Sequence, residues 1–250
     1  MRIKQYVKNS FIFIPFFFSL KFTEPYYWGK SLLAFLAFCA LSSGVYIFND
    51  ILDRKKDALH PEKKKRVIAS GEMKVPAAAA LTGILLTAFC ALSLCLNLAC
   101  FLTGIIYLLI NIAYSLYLKK IPIFDVLCIA LGFMLRVIMG GYAIESPISH
   151  LLLLTIISLS FFLGFGKRRN EQLALGPECG TRDVLDKYTV SFLDHAMTSL
   201  MSVAIVLYAF WAIDPQITAK FGEQLIYTTI PVILILLRYS YILRSPASNG

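Results

Sequence analysis

The stretch NDILDRKKDALHPEKKKRVIASG at 49–71 follows a long apolar run and sets Asn49, Asp50, Asp53 and Asp57 in the order N-D-x-x-D-x-x-x-D. On an α-helix, positions i, i+3 and i+7 share one face. If the preceding helix runs on through this stretch, the three carboxylates form a single stripe, with Asn49 beside it. Carboxylate oxygens suit hard divalent cations, and Mg²⁺ takes one or two of them and fills its octahedron with water and substrate phosphates. Asp50, Asp53 and Asp57 are therefore the expected Mg²⁺ ligands and catalytic residues, holding a substrate diphosphate through the metal. The competing reading is an acidic patch paired with Arg54, Lys55 and Lys56, and such surface pairs are common and contribute little. Three features favour chemistry. The spacing selects one face, the cluster ends an apolar helix, and the acids sit near a helix C-terminus, where the dipole disfavours negative charge.

The elements that position this stripe are expected to be membrane helices. Of the 250 residues, 58% are hydrophobic and 16% charged, more apolar surface than a soluble domain of this length can hide. A net charge of +9 in a soluble chain would point to nucleic acid. Here the cations lie between apolar runs, where they set topology and meet membrane lipid headgroups or phosphates, so no nucleic-acid partner is expected. Apolar stretches near the spanning length of about 20 residues occur at 8–22, 30–49, 75–97, 99–118, 123–144, 149–166, 192–213 and 223–243. They predict an all-α, polytopic transmembrane bundle of about eight helices in a single domain, 1–250. The first span is short, and the third and fourth turn back on each other near Asn97. The N-terminus has the basic start and apolar run of a signal peptide but no small-x-small cleavage site, and reads as a retained first helix.

Basic loops at 1–8, 54–66, 119–120 and 167–169, with Arg244, alternate with cation-poor loops at 22–29, around 97, 145–149 and 214–222. Every basic loop falls on one side if the N-terminus is cytoplasmic. The expected location is thus the cell (inner or plasma) membrane, multi-pass, with the N-terminus and the aspartate stripe cytoplasmic. Five of the six cysteines lie in apolar segments without a CxxC pair, and the three histidines are scattered; neither pattern suggests a disulfide framework or a His-based metal site. Pro61 is expected to end the helix of the stripe.

N-D-x-x-D-x-x-x-D followed by H-P-x-K-x-x-R-x-I-A-x-G resembles the first aspartate motif of the UbiA superfamily of intramembrane transferases. Further stretches resemble its decaprenyl-phosphate phosphoribosyltransferase branch: KQYVKN at 4–9, DVLCIALGFMLRVIMGG at 125–141, GKRRNE at 166–171 and LLRYSY at 236–241. The resemblance covers nearly the whole chain in order. It implies a helical intramembrane fold and Mg²⁺-held diphosphate substrates, with Arg66 among the phosphate contacts. Val67 stands where the family usually has Pro. The D-x-x-x-D motif that aromatic prenyltransferases carry after their fourth span is missing, with Asp125 alone in that region, which turns the reading from prenyl towards phosphoribosyl donors. The chain stops at Gly250 where relatives have another helix, which leaves a shortened sequence or a divergent end as the two readings.

Other polar residues join the candidate set. Arg136 lies well inside the fifth span, where a cation marks a pathway, a partner or an anion site; phosphate binding is the favoured reading, and a structural pair with Glu145 or a backbone carbonyl the other. Gly140 and Gly141 are expected to admit close helix approach. The resemblance makes Lys167, Arg168 and Glu171, in the loop after the sixth span, ligands for ribose phosphate or diphosphate, Arg as a bidentate clamp and Lys as a point charge. Tyr188, in an amphipathic stretch at 181–195, is placed to touch substrate. Lys8, with Asn9, is placed to cap a headgroup or the acceptor phosphate, and Tyr114 and Lys119 are either interfacial anchors or phosphate contacts.

The expected reaction is Mg²⁺-dependent transfer of 5-phosphoribose from phosphoribosyl diphosphate to a membrane polyprenyl phosphate, releasing diphosphate. The second expectation is prenyl transfer from a prenyl diphosphate to an aromatic or other acceptor. A transporter would need ionisable residues near the midplane of several helices, and only Arg136 fits. The sequence leaves assembly into a homo-oligomer open.

Overall fold

The computed structural model describes residues 3–59, 63–175 and 184–245, and among them the regular structure is all helical. A 3₁₀ helix, Ile3–Phe13, leads into α1 (Ile14–Phe18). There follow α2 (Pro25–Ala58), α3 (Val75–Leu96), α4 (Leu98–Leu116), α5 (Phe124–Ala143), α6 (His150–Leu175), α7 (Val190–Ala212), the short α8 (Pro215–Phe221) and α9 (Thr229–Arg244). Among the described residues, seven helices are long and apolar enough to cross a bilayer, the last being α9 extended back to Glu223.

The eighth expected span, 8–22, is not a spanning helix: its apolar helical part, Tyr6–Phe18, falls short of the bilayer. Its packing gives the reason. Ile12 and Phe16 are fully buried, and Asn9 Nδ2 donates to Ser42 Oγ of α2 at 3.1 Å. The segment is thus a wedge held by protein contacts, and its tight 3₁₀ winding suits that better than a lipid-facing span.

The described chain divides into two compact units. One comprises 1–118 and 135–147, the other 119–134 and 148–250; α5 contributes its first half to the second unit and its last half to the first. In the first unit, α2 packs along α3, and Phe38, Leu41, Phe89, Tyr107 and Met139 share one core. α3 and α4 are joined through Asn97 alone, as the sequence suggested: its Oδ1 accepts from Cys100 N at 2.8 Å and caps α4. Gly140 is a point of close approach, because a Cβ there would collide with the Ile12 backbone carbonyl. Gly140→Ala should therefore push the N-terminal wedge out of place and cost about 1–3 kcal/mol, read as a lower Tm in detergent.

In the second unit, α6 packs along α7, and Phe162, Phe165, Leu193, Met197 and Leu236 form the core. α6 runs on to Leu175, beyond the expected end at 166, so Lys167, Arg168 and Glu171 lie on helix and not in a loop. The i,i+3 pair Arg168–Glu171 at 2.6 Å and the i,i+4 approach of Lys167 to Glu171 at 3.9 Å support those turns. The expected amphipathic stretch 181–195 is a turn, Leu185–Lys187, followed by the start of α7, with 181–183 outside the described residues.

Candidate active site

α2 supplies the continuity that the aspartate stripe requires. Its 34 residues make about 51 Å of helix at 1.5 Å per residue, well past a hydrocarbon core of about 30 Å. Asn49, Asp50, Asp53 and Asp57 occupy its last turns, and helical phase puts them on one face. The helix closes at Ala58, capped by Leu59; Pro61, expected to end it, lies outside the described residues. Asp57 is buried, while Asn49, Asp50 and Asp53 are half-buried.

Arg66 returns to this stripe. Its Nη1 donates to Asp50 Oδ1 at 3.2 Å and to Asp57 Oδ2 at 2.5 Å. The loop carrying it is folded by Ser70 N donating to Arg66 O at 2.7 Å and Met73 N to Val67 O at 3.0 Å, with Gly71 at φ +87 making the turn. Ile68, packed with Ile47 and Ala78, pins the loop.

An anionic diphosphate meets carboxylates in this stripe, so binding there calls for a bridging cation. Among the described residues, no three acidic, His or Cys side chains converge as a dedicated protein cage for a metal would require. Mg²⁺ needs no such cage, since substrate oxygens and water complete its shell. The donors present are all oxygen, and Asn49 Oδ1 is buried without a hydrogen-bond partner among the described residues. That set fits Mg²⁺ held by one or two of the Asp50, Asp53 and Asp57 carboxylates together with substrate oxygens, with the Asn49 oxygen alongside.

Elsewhere in the first unit, Arg136 is 4% exposed. Its Nε donates to Asn9 Oδ1 at 2.9 Å and its Nη2 to Tyr107 Oη at 3.2 Å. The guanidinium also lies over the Phe38 and Tyr107 rings at 4.7 and 5.1 Å. Glu145, the other partner considered, pairs instead with Lys30 at 2.7 Å, which holds its carboxyl below the usual value. Lys8 is exposed, and it is its neighbour Asn9 that reaches Arg136. Tyr114 is half-buried near the end of α4.

The second unit gathers Arg168, Glu171 and Tyr188 around a residue that sequence reasoning set aside as solitary. Asp125 is 1% exposed. Its Oδ2 accepts from Arg168 Nε at 2.6 Å and its Oδ1 from Tyr188 Oη at 2.7 Å. Arg168 Nη1 reaches Glu171 Oε2 at 2.6 Å, and Lys167 remains largely exposed. Lys119 is half-buried in the turn that ends at Lys120. The only sequence signal for Asp125 was a carboxylate at the start of an apolar helix. Asp194 binds Arg169 at 2.9 Å and Arg244 at 3.3 Å and is structural.

Tyr188 Oη also accepts from Ile123 N at 2.5 Å. Ile123 has φ +70, a costly conformation for a β-branched residue, and this bond holds it. Burial foremost, with the bond to Asp125 adding, pushes the Tyr188 phenol well up, so it remains a donor. Tyr188→Phe should lose about 1–3 kcal/mol through the stranded Asp125 and Ile123 groups, seen as a lower Tm. Because the folded value is the higher one, the contribution is complete below the ordinary phenol value of 10.0 and fades as pH rises past it.

Residues 10–249 match the model of the UbiA prenyltransferase family. The chain belongs to that family. Within it, the chain is 31% identical over 220 residues to a decaprenyl-phosphate phosphoribosyltransferase of Mycolicibacterium smegmatis, covering 85% of this chain and 69% of that protein. It is 31% identical to the Corynebacterium glutamicum protein of the same name, covering 83% of this chain and 64% of that one. The chain thus spans about two thirds of the length of these relatives. A UbiA homologue from Archaeoglobus fulgidus, solved bound to GPP and Mg²⁺, shares the fold at a TM-score of 0.72 and 18% identity, over 85% of this chain and 75% of that one. Family membership and seven apolar helices make this UbiA member a multi-pass membrane protein and support its being a membrane transferase.

Proposed function

We propose that this protein transfers 5-phosphoribose from phosphoribosyl diphosphate to a polyprenyl phosphate in a Mg²⁺-dependent reaction. The observation that carries the reading is the carboxylate stripe at the projecting end of α2, in a family member whose relatives over most of its length bear the phosphoribosyltransferase name. Asp50, Asp53 and Asp57 would hold the metal, whose charge, when bound, offsets the negative charge that grows on the leaving diphosphate. Arg66, bridging Asp50 and Asp57, keeps the stripe in register and offers its remaining N–H groups to a phosphate. Lys167, Arg168 and Glu171 are assigned to the ribose phosphate.

An oxygen of the acceptor phosphate forms the new bond to ribose C1. The bond from C1 to the diphosphate oxygen breaks, and its electron pair leaves with diphosphate. The attacking oxygen is already anionic, so no strong general base is required. The acceptor's prenyl tail would lie in lipid, and the basic loops that follow α2 favour the cytoplasmic side for the stripe.

The second reading keeps the platform and changes the donor to a prenyl diphosphate, favoured by the fold shared with a homologue bound to GPP. Against it stands Asp125, whose oxygens are engaged by Arg168 and Tyr188 and so offer no second open acidic site in that region. The test is a competition: purified protein receives phosphoribosyl diphosphate and a prenyl diphosphate together, with polyprenyl phosphate and Mg²⁺, and the lipid product is weighed by mass spectrometry. A phosphoribosyl adduct is expected. A prenylated product with phosphoribosyl diphosphate left intact would overturn the assignment.

A further inference from the structure

A cavity of about 590 Å³ lies at the junction of the α2 C-terminus, the 67–74 loop and the start of α3, ringed by Arg54, Lys55 and Lys74 and walled by Ile68, Met73 and Pro76. It is separate from the aspartate stripe: none of Asp50, Asp53 and Asp57 lines it, and Lys55 sits about 140–160° round α2 from those acids at 100° per residue. Among the described residues, none of the three cations is in an ion pair or side-chain hydrogen bond. The negative end of the α2 dipole accounts for Arg54 and Lys55 being cations. It does not account for a third cation, from another helix, facing the same apolar-walled space. Lys74 is the N-cap of α3 and places no side-chain acceptor on its first amides, so the helix start adds positive potential to the same cavity.

The walls decide what kind of anion fits. A free phosphate would leave Met73 and Pro76 facing water, whereas a phosphate attached to glycerol and methylenes covers them. The depth agrees: the cavity opens where two apolar spans, α2 and α3, reach their polar ends, the level of lipid headgroups. Its floor is firm, because Ile68 is buried with Ile47 and Ala78.

We propose that this cavity binds the phosphate headgroup of an anionic phospholipid, with Arg54, Lys55 and Lys74 as its ligands. The site lies outside the transfer chemistry, and its test needs no turnover. The full chain is reconstituted in nanodiscs of equal parts phosphatidylglycerol and phosphatidylcholine, released, and its retained lipids counted by native mass spectrometry. The wild-type chain should retain phosphatidylglycerol preferentially. The triple variant Arg54→Gln, Lys55→Gln, Lys74→Gln should lose that preference by at least roughly tenfold, as expected for three headgroup cations. Lys64→Gln with Lys65→Gln, exposed cations of the neighbouring turn that do not line the cavity, should keep it. Equal loss in that control would mean diffuse surface charge and overturn the site, as would unchanged retention in the triple variant. Displacement of the retained lipid by millimolar inorganic phosphate would assign the cavity to free phosphate and overturn the lipid. Should the triple variant not fold, Lys74→Gln alone carries the test: a partial fall is expected, and unchanged retention contradicts the proposal.

Discussion

Asp53→Asn is expected to lower kcat for Mg²⁺-dependent transfer by roughly 10²–10³-fold, the scale of losing one preorganised stabiliser of leaving-group charge, while insertion and Tm stay near wild type. Asp53 is the informative position in the stripe. Asp57 is buried and bound to Arg66, so changing it strands a guanidinium and mixes folding with function. Asp50 shares the same arginine. Asp53 is half-buried between them on the same helical face, and Asn preserves its size while removing the charge that attracts a cation. Raising Mg²⁺ should recover part of the lost rate, because the defect is in holding the metal. The check is initial rate against Mg²⁺ concentration for both proteins, beside a thermal melt. Wild-type turnover in Asp53→Asn would remove the stripe from the mechanism.

Asp125→Asn is expected to cost about 3 kcal/mol, the low end for breaking a buried pair, because Glu171 still compensates Arg168 in part. For a chain of this size that corresponds to a fall in Tm of about 6–12 °C. Arg168 is 1% exposed, so its charge cannot turn to water when Asp125 is neutralised. Replacing both partners by apolar groups, Asp125→Leu with Arg168→Met, should recover much of the loss, since an apolar pair avoids burying charge. Activity separates two roles for Arg168: if it also holds substrate phosphate, the double variant is stable but slow. A Tm unchanged by Asp125→Asn would contradict the buried network.

The helical architecture was legible because it rests on local quantities. Apolar run length located the seven spanning helices, and the i, i+3, i+7 spacing of Asp50, Asp53 and Asp57 needed only that α2 continue, which it does to Ala58. Asn97 was readable as a tight connection because its cap acts within three residues. The misplacements came from tertiary partners. The N-terminal run counted as a span by composition, yet its buried face is held by α2 and by Gly140. Hydropathy ended the sixth span at Gly166, whereas Lys167, Arg168 and Glu171 continue the helix by pairing with one another and with Asp125, 43 residues away from Arg168. Arg136 was found by its cost in an apolar segment, but its acceptor, Asn9, lies 127 residues away in sequence. Asp125 was visible only as a carboxylate opening an apolar helix, and only the fold shows that it binds Arg168 and Tyr188.

The most direct test of the central claim is a time course with purified protein, labelled phosphoribosyl diphosphate and polyprenyl phosphate, following lipid-linked label and free diphosphate together with and without Mg²⁺. The account predicts that the two products rise one for one with Mg²⁺ and that neither forms when the metal is chelated. Diphosphate release without lipid-linked phosphoribose, or transfer undiminished by chelation, would contradict it.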